Sequence, residues 1–490
     1  AEAAGAGRPR RPFVQPLPHP LDSEEAAAGG SGAPIASVGL VDDPAAQCRH
    51  PLRWEPGAGS LGLIGSVGAG LTSTLIAVAS AACAARRPAE LELVVVDAVG
   101  DDRLDALAGL AHCAGVVRPH ETERLARAIA RLCDEIARRR AEPDRRAGML
   151  VVAVDGLSTL RAVLADPELA HIAAEMDALL RDGPAVGVVA LLADHGSVLC
   201  GATYPVATRW VFESCDDTAA ALVPGRPPRC APGRAGRLWI AGGDHRGCEA
   251  QVVRGAPGFA SLPTRSDPAA VNPISTLPPG IDRSAVDGCS RPGALAVGLS
   301  ADDLGIATLE VPLGENLLVL GGARRGVSTA LAAIAAAWAE VHGSEAVSRW
   351  GEKGAAGAAA APRLVIVDEA HRVEADDELH RLLGDATVTV CAGGPGDGLR
   401  TAYGHWARSI GVLGRGVVLT GGGVVDGELF GVALPRRQLV DARPGLAWIV
   451  DDNGVRLAQI VRPDDDPASG SDAGFGQVSP AGSGGSSPRR

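Results

Sequence analysis

Ser60-Leu61-Gly62-Leu63-Ile64-Gly65-Ser66-Val67-Gly68-Ala69-Gly70-Leu71-Thr72 sets an apolar run against a glycine-rich turn, with a hydroxyl residue at the head of an Ala-rich segment. That order predicts a buried strand, a tight turn and the start of a helix. From Gly65 to Thr72 it matches the phosphate-loop pattern G-x-x-x-x-G-K-[S/T] at all but one position. Glycines let backbone N–H groups curl around a phosphate at a helix N-terminus, and the Thr72 hydroxyl is the expected magnesium contact. Leu71 stands where the lysine belongs. A lysine about 4 Å from phosphate contributes roughly 4 kcal/mol at an effective dielectric near 20, so its absence should weaken triphosphate binding by about a thousandfold. The whole stretch 59–85 is uncharged. Its Gly, Ser and Thr content and short apolar runs still fit strand, turn and helix better than a membrane span.

The pattern returns at Gly321-Gly322-Ala323-Arg324-Arg325-Gly326-Val327-Ser328, with Val327 in the lysine position and Arg324 and Arg325 adding positive charge. Val38-Gly39-Leu40 precedes the first loop, and Val297-Gly298-Leu299 precedes the second at a similar distance. A tandem repeat of one domain type follows. In the first copy, apolar runs at 61–64, 91–96, 149–154, 186–192 and 209–212 alternate with helical patterns, including Leu125, Ile129, Leu132 and Ile136 at helical spacing. In the second, runs at 317–320, 364–367, 388–390 and 417–419 repeat the order. Continuous apolar runs suit parallel strands covered by helices on both faces, so the expected fold is α/β with open parallel sheets. The expected organisation is an Ala/Gly/Pro-rich linker at 1–36, domains at 37–256 and 293–462, a second linker at 257–292, and a disordered tail at 463–490.

Each copy also has an apolar strand ending in a carboxylate. Asp155 closes the first and reads equally as a magnesium ligand or as the cap of a turn. It is followed by Gly156, where a water-polarising glutamate often sits. The second ends in Asp368-Glu369, which favours a nucleotide site with Asp368 on magnesium and Glu369 as the catalytic carboxylate.

Pro44, Gln47 and Pro51-Leu52-Arg53-Trp54 lead into the first loop. Tyr403-Gly404-His405-Trp406-Ala407-Arg408-Ser409, Asp426-Gly427-Glu428-Leu429, Leu434-Pro435-Arg436-Arg437 and Arg443-Pro444-Gly445-Leu446-Ala447-Trp448 lie near the end. As a set these resemble FtsK/SpoIIIE-type ATPases over about residues 38–462. Relatives of that kind include DNA translocases and the EccC motor of type VII secretion. The resemblance implies tandem RecA-like P-loop domains, with ATP and Mg as cofactors. Gly65, Gly68, Gly70, Thr72, Asp155, Gly321, Arg324, Arg325, Gly326, Ser328 and Asp368 would hold the nucleotide. The implied partners are other domains or subunits of the same motor in a ring, with a protein substrate or DNA. It also implies the cytoplasmic face, with a membrane reached only through upstream segments. Later domains in such tandem proteins are often degenerate. The lost lysines therefore point to modules that bind nucleotide weakly or not at all and serve assembly, regulation or docking. An active DNA translocase and a docking module with no nucleotide role are the alternatives.

Composition narrows the field. A net charge of -12 argues against coating nucleic acid by sheer positive charge. The largest basic cluster, Arg138-Arg139-Arg140 with Arg145-Arg146, can touch a phosphate backbone or simply end a helix. Arg408, Arg415 and Arg436 are possible arginine fingers, while His405 and Trp406 read as packing residues. Ten cysteines form no C-x-x-C pair and none has zinc-ligand spacing with a histidine; the eleven histidines show no metal-ligand grouping. Free thiols in a reducing compartment are expected. The opening residues carry no signal peptide and read as the interior of a longer polypeptide.

Overall fold

The computed structural model describes residues 15–28, 37–143, 148–201, 204–213, 217–223, 234–256, 258–322, 324–351, 362–412, 414–420, 424–435 and 440–463. Contacts divide the chain into two units, Ala1–Thr276 and Leu277–Arg490.

The first unit carries strands β1 (Gly39–Asp43), β2 (Cys48–Leu52), β3 (Ser60–Ile64), β4 (Leu91–Asp97), β5 (Cys113–Val117), β6 (Met149–Asp155), β7 (Val188–Asp194), β8 (Val206–Phe212), β9 (Arg237–Ala241) and β10 (Glu249–Val252). They form one sheet in the order β2-β1-β10-β9-β8-β3-β7-β6-β4-β5. From β8 to β5 every pairing is parallel. From β2 to β8 every pairing is antiparallel. The apolar runs and the α/β order thus locate the parallel half, as expected. The antiparallel half was not expected, because strands such as Glu249–Val252 are short and partly polar and are joined by hairpin turns. The uncharged stretch resolves into β3 and a helix at Leu71–Ala84. Among the described residues, no helix is long and apolar enough to cross a membrane. The helix Thr122–Ala141 buries Leu125, Ile129, Leu132 and Ile136, as their spacing requires.

The second unit carries β11 (Ala294–Ser300), β12 (Ile306–Glu310), β13 (Leu317–Leu320), β14 (Val347–Arg349), β15 (Arg363–Val367), β16 (Val388–Gly394), β17 (Gly416–Leu419), β18 (Leu446–Asp451) and β19 (Gly454–Ile460). Its sheet order is β12-β11-β19-β18-β17-β13-β16-β15-β14, again parallel from β17 to β14 and antiparallel beyond. The helix Val327–His342 follows β13 as Leu71–Ala84 follows β3.

The repeat has a physical signature at its paired glycines. A Cβ on Gly39 would overlap the carbonyl oxygen of Gln251, and one on Gly298 would overlap that of Gln459. Both glycines exist because the last strand of each unit passes too close for any side chain.

Segments read as linkers are partly built into the units. Leu17, Leu21 and Ala26 pack with Leu40 and Val253, and Arg237 donates to the Leu17 carbonyl. Within 257–292, Asn272 and Ile274 accept hydrogen bonds from Arg131 and Arg124 in the first unit. Farther on, Ile281 accepts from the Arg462 N–H, and Arg283 pairs with Glu340 in the second. The tail from residue 464 lies outside the described residues, as do Arg145 and Arg146. Cys83, Cys113 and Cys391 are free and buried; burial pushes the Cys113 thiol up to about 11, which keeps it inert at neutral pH.

Candidate functional site

Between β3 and its helix the first loop adopts the turn its glycines permit. Gly68 and Gly70 have φ of 83° and 99°, and Gly70 caps the helix in the left-handed region. The Ser66 N–H donates to the Glu213 carbonyl, the Ala69 N–H to the Ser66 carbonyl, and the Gly236 N–H to the Ala69 carbonyl. Several of the loop's backbone groups are therefore already engaged within the protein. Gly65 has no room for a side chain, since a Cβ would lie 2.7 Å from Phe212 Cβ.

The Thr72 hydroxyl donates to Asp155 Oδ2 at 2.6 Å. Asp155 sits at the end of β6 in register with Asp97 of β4, and both are buried. Burial pushes the Asp155 carboxyl up; the Thr72 hydrogen bond opposes this and the neighbouring Asp97 charge adds to it. A hydroxyl and a carboxylate in contact are the donor pair a magnesium ion would use. What is missing is the lysine. Leu71 is only 3% exposed and belongs to the core beneath the sheet, while Val67 at the loop tip is 84% exposed. Beside Gly70, Ser73 and Thr74 opens a cavity of about 290 Å³, lined also by Gly236, Gln251 and Val252.

The second loop keeps the same parts in a more open setting. Gly326, with φ of 98°, caps the helix, and the Gly445 N–H donates to the Arg325 carbonyl as Gly236 does to Ala69. Ser328 Oγ donates to Asp368 Oδ2 at 2.7 Å. Arg324 is exposed, with φ of 60°. Val327 packs on the core and fills the space over Gly321 and Gly393, where an added Cβ would meet its methyl groups at 3.0 and 2.9 Å. Glu369 has φ of 49° and turns to Arg372, 2.8 Å away, in an exposed ion pair.

Three sequence expectations meet different geometry. Arg415, a candidate arginine finger, is buried between Glu315 and Asp452 of its own unit. Arg408 lies over the Tyr403 ring at 5.0 Å and donates to the Arg400 carbonyl, and Arg436 lies outside the described residues. The basic cluster is largely neutralised: Arg138 pairs with Glu135 and Glu142, Arg139 with Glu135, and Arg140 with Asp182. The third concerns metal ligands, because Asp43, His50 and His245 are brought within 4.8 Å of one another. Cys48-x-His50 and His245-x-x-Cys248 were the signal. Nearly two hundred residues separate the two pairs, and neither is specific alone. Arg103, which donates to Ser73 Oγ at the head of the first loop's helix, had no motif to reveal it.

The fold is that of tandem ATPase-type α/β units strung on one chain. Solved structures of similar fold include EssC and EccC chains. EssC (ATPases 2 and 3) from Geobacillus thermodenitrificans superposes with a TM-score of 0.69 at 16% identity, covering 92% of this chain and 100% of that one. Thermomonospora curvata EccC (ATPases 2 and 3), in complex with a signal sequence peptide, gives 0.62 at 18% identity over 87% and 92%. The cytoplasmic domain of the Thermomonospora curvata type VII secretion ATPase EccC gives 0.65 at 18% identity; 94% of this chain covers 65% of that longer one. No protein-family model and no curated protein sequence matches the chain.

Proposed function

We propose that the chain is a pair of motor-type modules, at 37–256 and 293–462, that have lost catalysis and serve assembly, regulation or substrate docking in a type VII secretion-type machine at the cytoplasmic face of a membrane. One observation carries this: the lysine position of each loop holds an apolar side chain packed in or against a core, Leu71 in one and Val327 in the other. The hydroxyl–carboxylate pairs persist without it. Thr72 with Asp155, and Ser328 with Asp368, would hold magnesium, and the loop glycines would face the phosphates. The charge that grips the terminal phosphates and stabilises their transfer would be missing. The first module also lacks a glutamate after Asp155. The second keeps Glu369, although Arg372 holds it, and has Arg324 and Arg325 nearby. Residual nucleotide binding therefore belongs mainly to the second module.

A protein segment is the favoured partner. The neighbouring EccC fold was solved with a signal sequence peptide, and the main arginine cluster here is engaged by carboxylates rather than open to phosphate. The test is ATP turnover by the chain with and without duplex DNA. Turnover near background in both conditions is expected. Several turnovers per second, abolished by Asp368→Asn, would defeat the reading and restore an active translocase.

A further inference from the structure

The antiparallel half of the first unit gathers metal-ligating side chains that the phosphate loop does not use. β1 and β2 pair with Asp43 opposite Cys48 and Val41 opposite His50. Opposed residues share a face, as do residues two apart along a strand. Asp43, Cys48 and His50 therefore stand on the side of the sheet that buries Val41. On the other flank of β1, Asp42 pairs with Glu249 of β10, which brings the turn between β9 and β10 to the same corner. That turn is fixed by the Cys248 N–H donating to the His245 carbonyl and the Gly247 N–H donating to the Ile240 carbonyl. Its His245 ring stacks on His50, with centroids 4.8 Å apart and 26° between the planes.

Asp43, His50 and His245 offer ligand atoms all within 4.8 Å of one another, a cluster that one small cation would draw in, whereas Cys48 lies outside that set and approaches it through His50. Asp43 Oδ2 lies 3.6 Å from His50 Nε2, and Cys48 Sγ lies 3.2 Å from the same nitrogen. A tetrahedral ion with bonds of about 2.0–2.3 Å separates its ligand atoms by about 3.3–3.8 Å. Asp43 is oriented for the task, because its Oδ1 accepts from the Ala45 and Ala46 N–H groups at 3.1 and 3.0 Å. Outer contacts of that kind hold a ligating carboxylate in place. All four side chains are half-buried. Two imidazoles, a thiol and one carboxylate make a mixed N, S and O set. Magnesium and calcium prefer oxygen alone, whereas zinc accepts such a set.

We propose that Asp43, His50 and His245 form a structural zinc site, with the Cys48 side chain turning in as the fourth ligand, that fastens the β1–β2 hairpin to the β9–β10 turn. Four protein ligands would close the coordination shell. The site would act on the stability of the antiparallel half, not on phosphate chemistry.

The test begins with untagged chain, its zinc content measured by plasma mass spectrometry and its cobalt(II)-substituted form examined by absorption. About one zinc per chain and a thiolate-to-cobalt charge-transfer band are expected. Cys48→Ser should remove the band. His50→Ala with His245→Ala should lower zinc affinity by about a hundredfold or more, and a chelator should lower the melting temperature of the native chain but not of that variant. Cys289→Ser, at an exposed thiol in the second unit, should change none of these. Zinc well below one per chain after incubation with the ion, the absence of a charge-transfer band, or undiminished binding by the double variant would overturn the proposal. If the double variant does not fold, Cys48→Ser decides the matter, since the band requires the thiolate.

Discussion

A lysine at residue 71 would have to place an ammonium group in the apolar layer where Leu71 meets Leu75, Leu63 and their neighbours. Burying an unpaired charge there costs about 3 kcal/mol or more. Val327 is half-buried at the rim of its own core, where a long side chain can carry its charge outward to solvent. Leu71→Lys is therefore expected to lower the melting temperature of the first unit with little gain in nucleotide affinity. Val327→Lys should fold and bind ATP about tenfold more tightly or better, the gain coming from its charge on the phosphates. Isothermal calorimetry alongside thermal unfolding checks both; the reverse ordering would contradict this account of the loops. The contacts Thr72–Asp155 and Ser328–Asp368 were legible in the sequence, because strand, turn and helix leave little freedom in where those residues point. The pairing of Glu369 with Arg372 was not, since it depends on a left-handed backbone at a non-glycine residue, which no motif announces.

Helices and strands differ in how openly they declare themselves. Thr122–Ala141 was plain from the spacing of Leu125, Ile129, Leu132 and Ile136, whereas the hairpins of the antiparallel halves are short and partly polar and gain definition only from the strands beside them. Gly39 and Gly298 show what that pairing demands. Gly39→Ala and Gly298→Ala should each destabilise their own unit by about 1–3 kcal/mol, seen as a lowered denaturant midpoint, because each forces β10 or β19 away. The same long helix offers a pH test. Hydrogen bonds from Arg138, then from Arg139, hold the Glu135 carboxyl down at about 2. A depressed carboxyl contributes stability that is complete above its ordinary value and is lost as pH falls from there towards the folded value. Stability of the first unit should thus decline between about pH 4.5 and pH 2, and Glu135→Gln should flatten that part of the profile while lowering the melting temperature at pH 7. An unchanged acid profile in the variant would show that the pair contributes nothing.

Across the whole molecule, charge decides what the surface can hold. With a net charge of -12 and its main arginine cluster tied to Glu135, Glu142 and Asp182, the chain should bind duplex DNA only weakly and only at low ionic strength. Fluorescence anisotropy checks this; submicromolar binding that survives physiological salt and falls when residues 138–140 are neutralised would make DNA a direct ligand. The tandem arrangement was legible because two loops share one defect in one context. The packing of 258–276 and of 277–292, each on its own unit, was not, because a Pro-rich segment held by arginines looks the same in sequence as a free one. In each unit the first strand pairs with the last, β1 with β10 and β11 with β19, so each sheet begins and ends on neighbouring strands, about 4.8 Å apart. One ladder thus ties the opening of each sheet to its close, and losing either strand would leave the other with a row of unpaired N–H and C=O groups.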